Sequence, residues 1–561
     1  MPNPISQADQ DLFARVAARN LAFTTDIESA GPHFFPPHTI SLLLVADDRL
    51  GFSDTQWGLS TLIHSLTATP PRPFLKVAIT VAHRNPDVPP EFMAPADTAI
   101  SHRIIGFNFA EPTHFSPAMY HQVWLFGDVA AEFKFGAWLG LLPNDQIQAV
   151  CDFMQAGRGV LALGDHGGLG SSLCGSIPRV RAMRHWFATS GPFGELPGPD
   201  MANATRNDTC RLANPADPYS GNQSDDIPQE IVPVPVTRRF ASRDVSYVHP
   251  LLCGRHGVIR VLPDHPHEGE CIVPADLSRT RFGAGETIHF DEFPLGIKPE
   301  IVATSTVLPG LLQRLPSKEA TIAHSFGAIC AYDGWRANTG RVVTDATWHH
   351  FLNLNLAGNT TTGGTGFANP AALAHLESFR EYYRNILIWL IPRPLWMQAM
   401  AEGLWISIWE NRMLEAVTPG GPVSLQNVDP SRILTIGRHS REVVGAFLGE
   451  RHTIDWLIEI LERFAPADIV DLVRPWPAHP GAPLPELPCW FDPEPLLDFA
   501  FGGIIIAIRE RFPNPSPAGK PVTAAALLDV ATAGAAAGLA RAVPSLQATA
   551  TTLAGLARAL V

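Results

Sequence analysis

Four stretches of this chain share one pattern, an uninterrupted apolar run that stops on an acidic residue or a histidine. ISLLLVADD stops at Asp47 and Asp48, YHQVWLFGD at Asp128, GVLALGDH at Asp165 and His166, and GRVVTDATWHH at His349 and His350. Runs without alternation suit strands buried on both faces, as in a parallel sheet covered by helices. Helical periodicity lies between several of them. Asp54 leads into WGLSTLIHSL, and Asn144-Asp145 opens QIQAVCDFMQAG, which stops at Gly157 just before the next strand. Strand, helix and strand with short joints predict an α/β fold built on a doubly wound, mostly parallel sheet, to which a strand at 75–81 also belongs.

The rest of the chain changes character twice. Residues 191–236 are rich in Gly, Pro, Asn and Asp with almost no apolar period, which predicts a long inserted loop. Short strands follow near 258–262 and 286–290, and the sheet resumes across 320–356. From about 370 the periodicity is helical: AHLESFREYYRNILIWLI runs to Pro392, and a second helix is expected over 441–464. Prolines crowd 472–497, and the Ala-rich tail predicts a helical pair interrupted at Pro544. The expected organisation is an α/β domain over 1–390 with the 191–236 loop inserted, followed by a helical C-terminal region. That region comprises helices over 391–470, a Pro-rich connector over 471–497 and an Ala-rich helical segment over 498–561.

Composition narrows the partners. With 46% hydrophobic and 17% charged residues, 561 residues make a globular protein of several units, at about 150 residues each. Forty-one basic against 54 acidic residues leave a net charge of −13, which argues against a nucleic-acid partner. Seven irregularly spaced cysteines fit reduced thiols rather than a disulfide framework. The first twenty residues lack a basic start followed by an apolar run and read as an amphipathic helix rather than a signal peptide. The apolar run at 499–508 is shorter than the roughly 20 residues a bilayer requires. A cytoplasmic protein with a small-molecule substrate or ligand and no membrane or nucleic-acid partner is expected, and self-association stays open.

Ligands of open α/β sheets sit beyond the carboxyl ends of the strands, so Asp47, Asp128, Asp165, His166, Asp345 and His349 should collect in one crevice. Asp47 and Asp128 can bind a ligand there, or can simply cap the helix that follows. Gly164, Gly167, Gly168 and Gly170 around Asp165-His166 permit a sharp strand-to-helix turn, the place of a nucleophile elbow. An Asp-His apex suits acid/base work or metal binding better than acyl transfer. Arg179, Arg181 and Arg184 can clamp a carboxylate or phosphate, or form a solvated face. In LPDHPHEGE, His265, His267 and Glu268 can cover the crevice, and a divalent metal held by His166, His267 and His349 is one reading of the three clusters. Asp345 stands four residues before His349 and can orient it as a base, with His350, Asn353 and Asn355 as further polar contacts; hydrogen-bonded core histidines are the alternative.

The order YHQVWLFGD, helix, GRGVLALGDH as elbow strand and late GRVVTDATWHH resembles the class I glutamine amidotransferase-like fold, of flavodoxin-like type, over about residues 40–390. His249-Pro250-Leu251 adds a resemblance to its trehalose-utilisation (ThuA-like) branch. Amidotransferases carry a cysteine at the elbow and a His-x-Glu on a later strand. Here the apex is Asp165-His166 and no such pair follows His349, as suits the branch that lacks the cysteine. The resemblance implies a hydrolase or isomerase acting on a small polar or anionic substrate, not a glutamine amidotransferase. Asp165, His166, Asp345 and His349 would then be catalytic. Two rivals stand beside it: a non-catalytic ligand-binding or assembly protein whose helical tail docks a partner, and a hydrolase using Cys174.

Overall fold

A computed structural model describes residues 37–68, 75–93, 100–199, 203–208, 228–240, 243–254, 257–263, 268–310, 319–357, 367, 373–408, 424–449, 453, 456, 494–512 and 523–560. The predicted N-terminal helix and most of the Pro-rich connector lie outside them.

The apolar runs form the middle of a ten-stranded sheet. Its strands are β1 (His38–Ala46), β2 (Leu75–His83), β3 (Ile100–Ile105), β4 (Gln122–Phe126), β5 (Gly159–Leu163), β6 (Pro228–Pro233), β7 (Val261–Pro263), β8 (Glu300–Val307), β9 (His324–Tyr332) and β10 (Val342–Asp345). They lie in the order β7-β6-β8-β9-β10-β5-β4-β1-β2-β3. The six from β10 to β3 are parallel, and the remaining four pairings are antiparallel. The parallel part thus has the 3-2-1-4-5-6 order of a doubly wound sheet rather than the 2-1-3-4-5 order of flavodoxin. Strand β6 lies inside the stretch read as loop up to residue 236. Its Pro-Gln-Glu-Ile-Val-Pro sequence has no strand-like alternation, and only pairing with β7 and β8 makes it a strand.

Both faces of β1, β4 and β5 are covered, which is why these strands are mostly apolar, whereas the edge strand β3 exposes Ser101, His102 and Arg103. Along β1, Ile40, Leu42 and Leu44 enter one core and Leu43 and Val45 the other. The first core is closed by α1 (Ser60–Thr67), and the second by α2 (Asn144–Gln155) and a short α3 (Ser171–Cys174). After β10 the chain forms α4 (Asn353–Leu356), α5 (Leu373–Trp389), α6 (Arg393–Ser407), α7 (Pro430–Leu448), α8 (Glu494–Arg511) and α9 (Ala524–Leu560). Helix α5 closes the first core, and Gln122 Nε2 of β4 donates to the Leu387 carbonyl (2.5 Å). That apolar core continues past residue 390 into α6–α9, and His38 of β1 meets Glu402 of α6 at 2.8 Å.

The C-terminal glycines are seams rather than breaks. A Cβ on Gly503 of α8 would stand 2.2 Å from the Gly534 carbonyl of α9 and 2.7 Å from Gly538 Cα. Gly503→Val is expected to pry the two helices apart at a cost of about 1–3 kcal/mol, visible as faster proteolysis within α9. The tail is one helix running through Pro544, not a pair interrupted there; the hairpin is made by α8 and α9. Within α9, Ala524–Thr549 is long and apolar enough to cross a membrane by length and composition, and 39% of its most apolar window is buried.

Candidate functional site

Because the six parallel strands end on one edge, Asp47, Asp128, Asp165 and Asp345 stand in a row, one after each of β1, β4 and β5 and one as the last residue of β10. The predicted elbow is present. After Leu163 the Asp165 amide donates to the Leu169 carbonyl (3.1 Å), the Gly168 amide donates to the His166 carbonyl (2.8 Å), and α3 begins at Ser171. Gly170 turns the chain with φ +91°, and a Cβ there would meet Gly164 Cα at 2.8 Å and the Gly127 carbonyl at 2.9 Å. Gly170→Ala is therefore expected to cost at least about 2 kcal/mol through left-handed strain and overpacking, read as a lower urea midpoint.

The Asp165 carboxylate is the hub of the elbow. The Thr347 hydroxyl donates to Oδ1 (2.8 Å), while Oδ2 lies 2.8 Å from His166 Nδ1 and 3.8 Å from His349 Nε2. The His166 side chain keeps 17% of its surface open, whereas Asp165 and His349 are buried. His166 is thus the member of this group that reaches solvent. Nδ1 is the ring nitrogen of His166 on the Asp165 side, which leaves Nε2 as the nitrogen away from the carboxylate. His349 Nδ1–H donates to Asn355 Oδ1 (2.7 Å), an assignment set by the hydrogen-bond network, which leaves Nε2 as the nitrogen on the Asp165 side. The ring is held by Trp348 at 4.3 Å between centroids and by the edge of Trp57 at 5.9 Å.

Asp345 does not orient His349. It takes Nδ1–H of the next residue, His350 (2.7 Å), on Oδ1 and the Tyr382 hydroxyl (2.7 Å) on Oδ2. The far side of His350, Nε2, meets Glu268 Oε1 (3.1 Å) and Gln229 Oε1 (2.9 Å), and Gln229 Nε2 donates to Glu268 Oε2 (2.7 Å). Burial pulls the His350 pKa down, but the Asp345 charge and the hydrogen bonds to both carboxylates outweigh it and lift it from 6.5 to about 10. His350 is therefore a sealed imidazolium, neither base nor ligand contact. The one-residue error has a local cause: 348–350 form a tight 3-10 turn, not the α-helix in which a four-residue spacing brings side chains together.

The arginines form neither a clamp nor a solvated face. Arg179 is buried with Nε on the Glu292 carbonyl (2.7 Å), and Arg181 pairs with Glu195 (2.6 Å) and Glu292 (2.8 Å). Arg184, also buried, donates to the carbonyls of Asp165 (2.6 Å) and Ala346 (2.8 Å) and so ties the ends of β5 and β10 together. Asp128 holds Arg49 in a bidentate pair (2.7 and 3.1 Å), and Arg49 lies 4.1 Å over Trp57. Asp47 accepts the amides of Asp128 (2.5 Å) and Val129 (3.2 Å). Cys174 is buried beneath α3, and burial drives its thiol far above the ordinary range, as suits an inert packing residue.

His265 and His267 lie outside the described residues. Among the described ones, no three His, Cys, Asp or Glu side chains converge as a metal site. Four contributors escaped the sequence reading: Thr347, Tyr382, Gln229 and Arg49. They come from a turn, a helix, an irregular strand and a loop, and only Thr347 lies within a segment singled out in the sequence, GRVVTDATWHH. Asn353, read as a ligand contact, instead ties down the loop bearing Trp57 through the carbonyls of Ser53 (3.0 Å) and Thr55 (2.9 Å). Neither the models of known protein families nor the curated proteins contain a match to this chain.

Proposed function

We propose that this chain is an α/β enzyme whose cysteine-less elbow is nearest in pattern to the ThuA-like branch of the amidotransferase-like proteins, carried on a sheet of different strand order. It acts in the cytoplasm on a small polar or anionic substrate by histidine acid/base chemistry, as a hydrolase or isomerase. The observation that carries this reading is the Asp165–His166 pair at the apex of a strand-to-helix elbow, with the imidazole open to solvent and a second histidine beyond the shared carboxylate. In this reading Asp165 fixes the His166 tautomer, and Nε2 takes a proton from substrate or water. The Asp165 carboxylate balances the positive charge that develops on His166, and His349 packs on the other side of Asp165. Support against the cysteine hydrolase comes from the burial of Cys174.

A second reading, a ligand-binding or assembly protein, is favoured by α9, of whose most apolar window 39% is buried. One experiment separates the two. The purified chain and its His166→Gln variant are incubated with sugars, sugar acids, lactones and hydroxy acids, and consumption is followed by proton NMR. Turnover by the parent that the variant loses supports the enzyme. Ligand-induced shifts without turnover, merely weakened in the variant, support the binding protein.

A further inference from the structure

The doubly wound sheet has a second place where a ligand fits, on the face away from His349. The chain leaves β1 toward α1 on one face and leaves β4 toward α2 on the other. At such a reversal of strand order the connections part and leave a crevice. Here it is a cavity of about 520 Å³ at the ends of β1–β4, lined among others by Asp47, Asp48, Arg84, Phe107, Asn108 and Gln146. That volume is within the range of small-molecule sites, about 300–1,000 Å³.

Three of its wall residues have unmet hydrogen-bonding atoms. Asp47 is 3% exposed; its Oδ1 is occupied by the loop amides of Asp128 and Val129, while Oδ2 has no hydrogen-bond partner among the described residues. Arg84, just after β2, has a buried Nε without a partner, and its guanidinium makes no hydrogen bond or ion pair with the described residues. Gln146 Oε1, from α2, is likewise buried and unpartnered. Leaving such groups unmet costs about 1–3 kcal/mol each, so native proteins rarely tolerate several in one wall without a function. Arg179, Arg181 and Arg184 each hydrogen-bond to carbonyls or carboxylates, whereas among the described residues Arg84 has only the charge of Asp47 as its nearby counterpart.

The signs of charge narrow the ligand. A simple anion drawn to Arg84 would meet Asp47 and Asp48, and a simple cation drawn to those carboxylates would meet Arg84. A molecule carrying both charges within a few bonds satisfies both sides. We propose that this cavity is a binding site for a zwitterion of the α-amino-acid class, its carboxylate on Arg84 and its ammonium on Asp47 and Asp48, with Gln146 accepting from its polar end. The site is separate from the His166 group and does not depend on that group being catalytic.

Calorimetric titration of the full chain with the individual protein amino acids tests it, with propionate, ethylamine and xylitol as single-function controls. The expected result is binding of one or more amino acids at least about tenfold tighter than each control. Arg84→Met and Gln146→Leu should each weaken it by about tenfold or more, with the circular dichroism spectrum unchanged. Should Arg84→Met fail to fold, the exposed Asp48→Asn takes its place, with the same loss expected. The proposal is overturned if propionate or xylitol binds as well as the amino acid, if both variants bind like the parent, or if no amino acid binds below about 10 mM.

Discussion

His166→Gln is expected to lower kcat/KM by about 10²–10⁴-fold while leaving the protein folded, the range lost when a positioned general acid or base is removed. Glutamine preserves polarity and approximate reach but cannot take up a proton at neutral pH. The position is partly open, so little packing is disturbed. Asp165→Asn should cost a comparable factor by a different route. The Thr347 hydroxyl can still donate to the retained oxygen, but an amide in place of Oδ2 would favour the wrong His166 tautomer. Kinetics of both variants, with unfolding midpoints alongside, check this. Turnover within threefold or so of the parent in His166→Gln would remove His166 from the chemistry.

The sheet was legible because its central strands are buried on both faces and their sequences say so without alternation. Their ends were legible for the same reason: a parallel sheet delivers every strand terminus to one edge, so Asp47, Asp128 and Asp165 could be placed along that edge from direction alone. Direction did not reveal that Asp47 and His349 serve different faces of it. What could not be read was which neighbour each group takes. Asp345 and His349 share a segment but not a bond, because a 3-10 turn rotates His350 into the place beside the carboxylate. Arg184 illustrates the same limit. Its basic neighbours look like an anion clamp in sequence, yet its partners are carbonyls of residues 165 and 346, contacts without a local signature. The glycines at 502–503 look like helix interruptions by propensity, but in α8 they let neighbouring backbones pack close and so hold the helices together.

These observations divide the histidines into two physical classes. His166 has one face on a carboxylate and another in solvent, so its proton can move during a reaction. His350 has both nitrogens on buried acceptors, so its proton is part of the fold. In the proposed enzyme the first cluster is the one available for chemistry, while the second fixes the distance between β10, α5 and the inserted β6.

Removal of Asp345 tests that division from the stability side. In Asp345→Ala, His350 keeps only Glu268 and Gln229, and both the Tyr382 hydroxyl and the Thr347 amide lose their acceptor. Breaking one side of a buried charged network in this way costs about 3–5 kcal/mol. Tyr382→Phe, which removes a single hydrogen bond and leaves the charges paired, should cost only about 1–2 kcal/mol. Urea titrations give both values from the midpoint at constant slope. The pH dependence carries an independent sign. The folded His350 pKa of about 10 stands above the ordinary 6.5, so its contribution is complete below 6.5 and is lost as pH rises toward 10. Over that interval this group should make the parent lose about 1.4 kcal/mol of stability per pH unit, a slope that His350→Gln should abolish. Parallel stability curves for the two proteins between pH 6.5 and 10 would show that His350 is neutral in the fold and return it to the candidates for proton transfer.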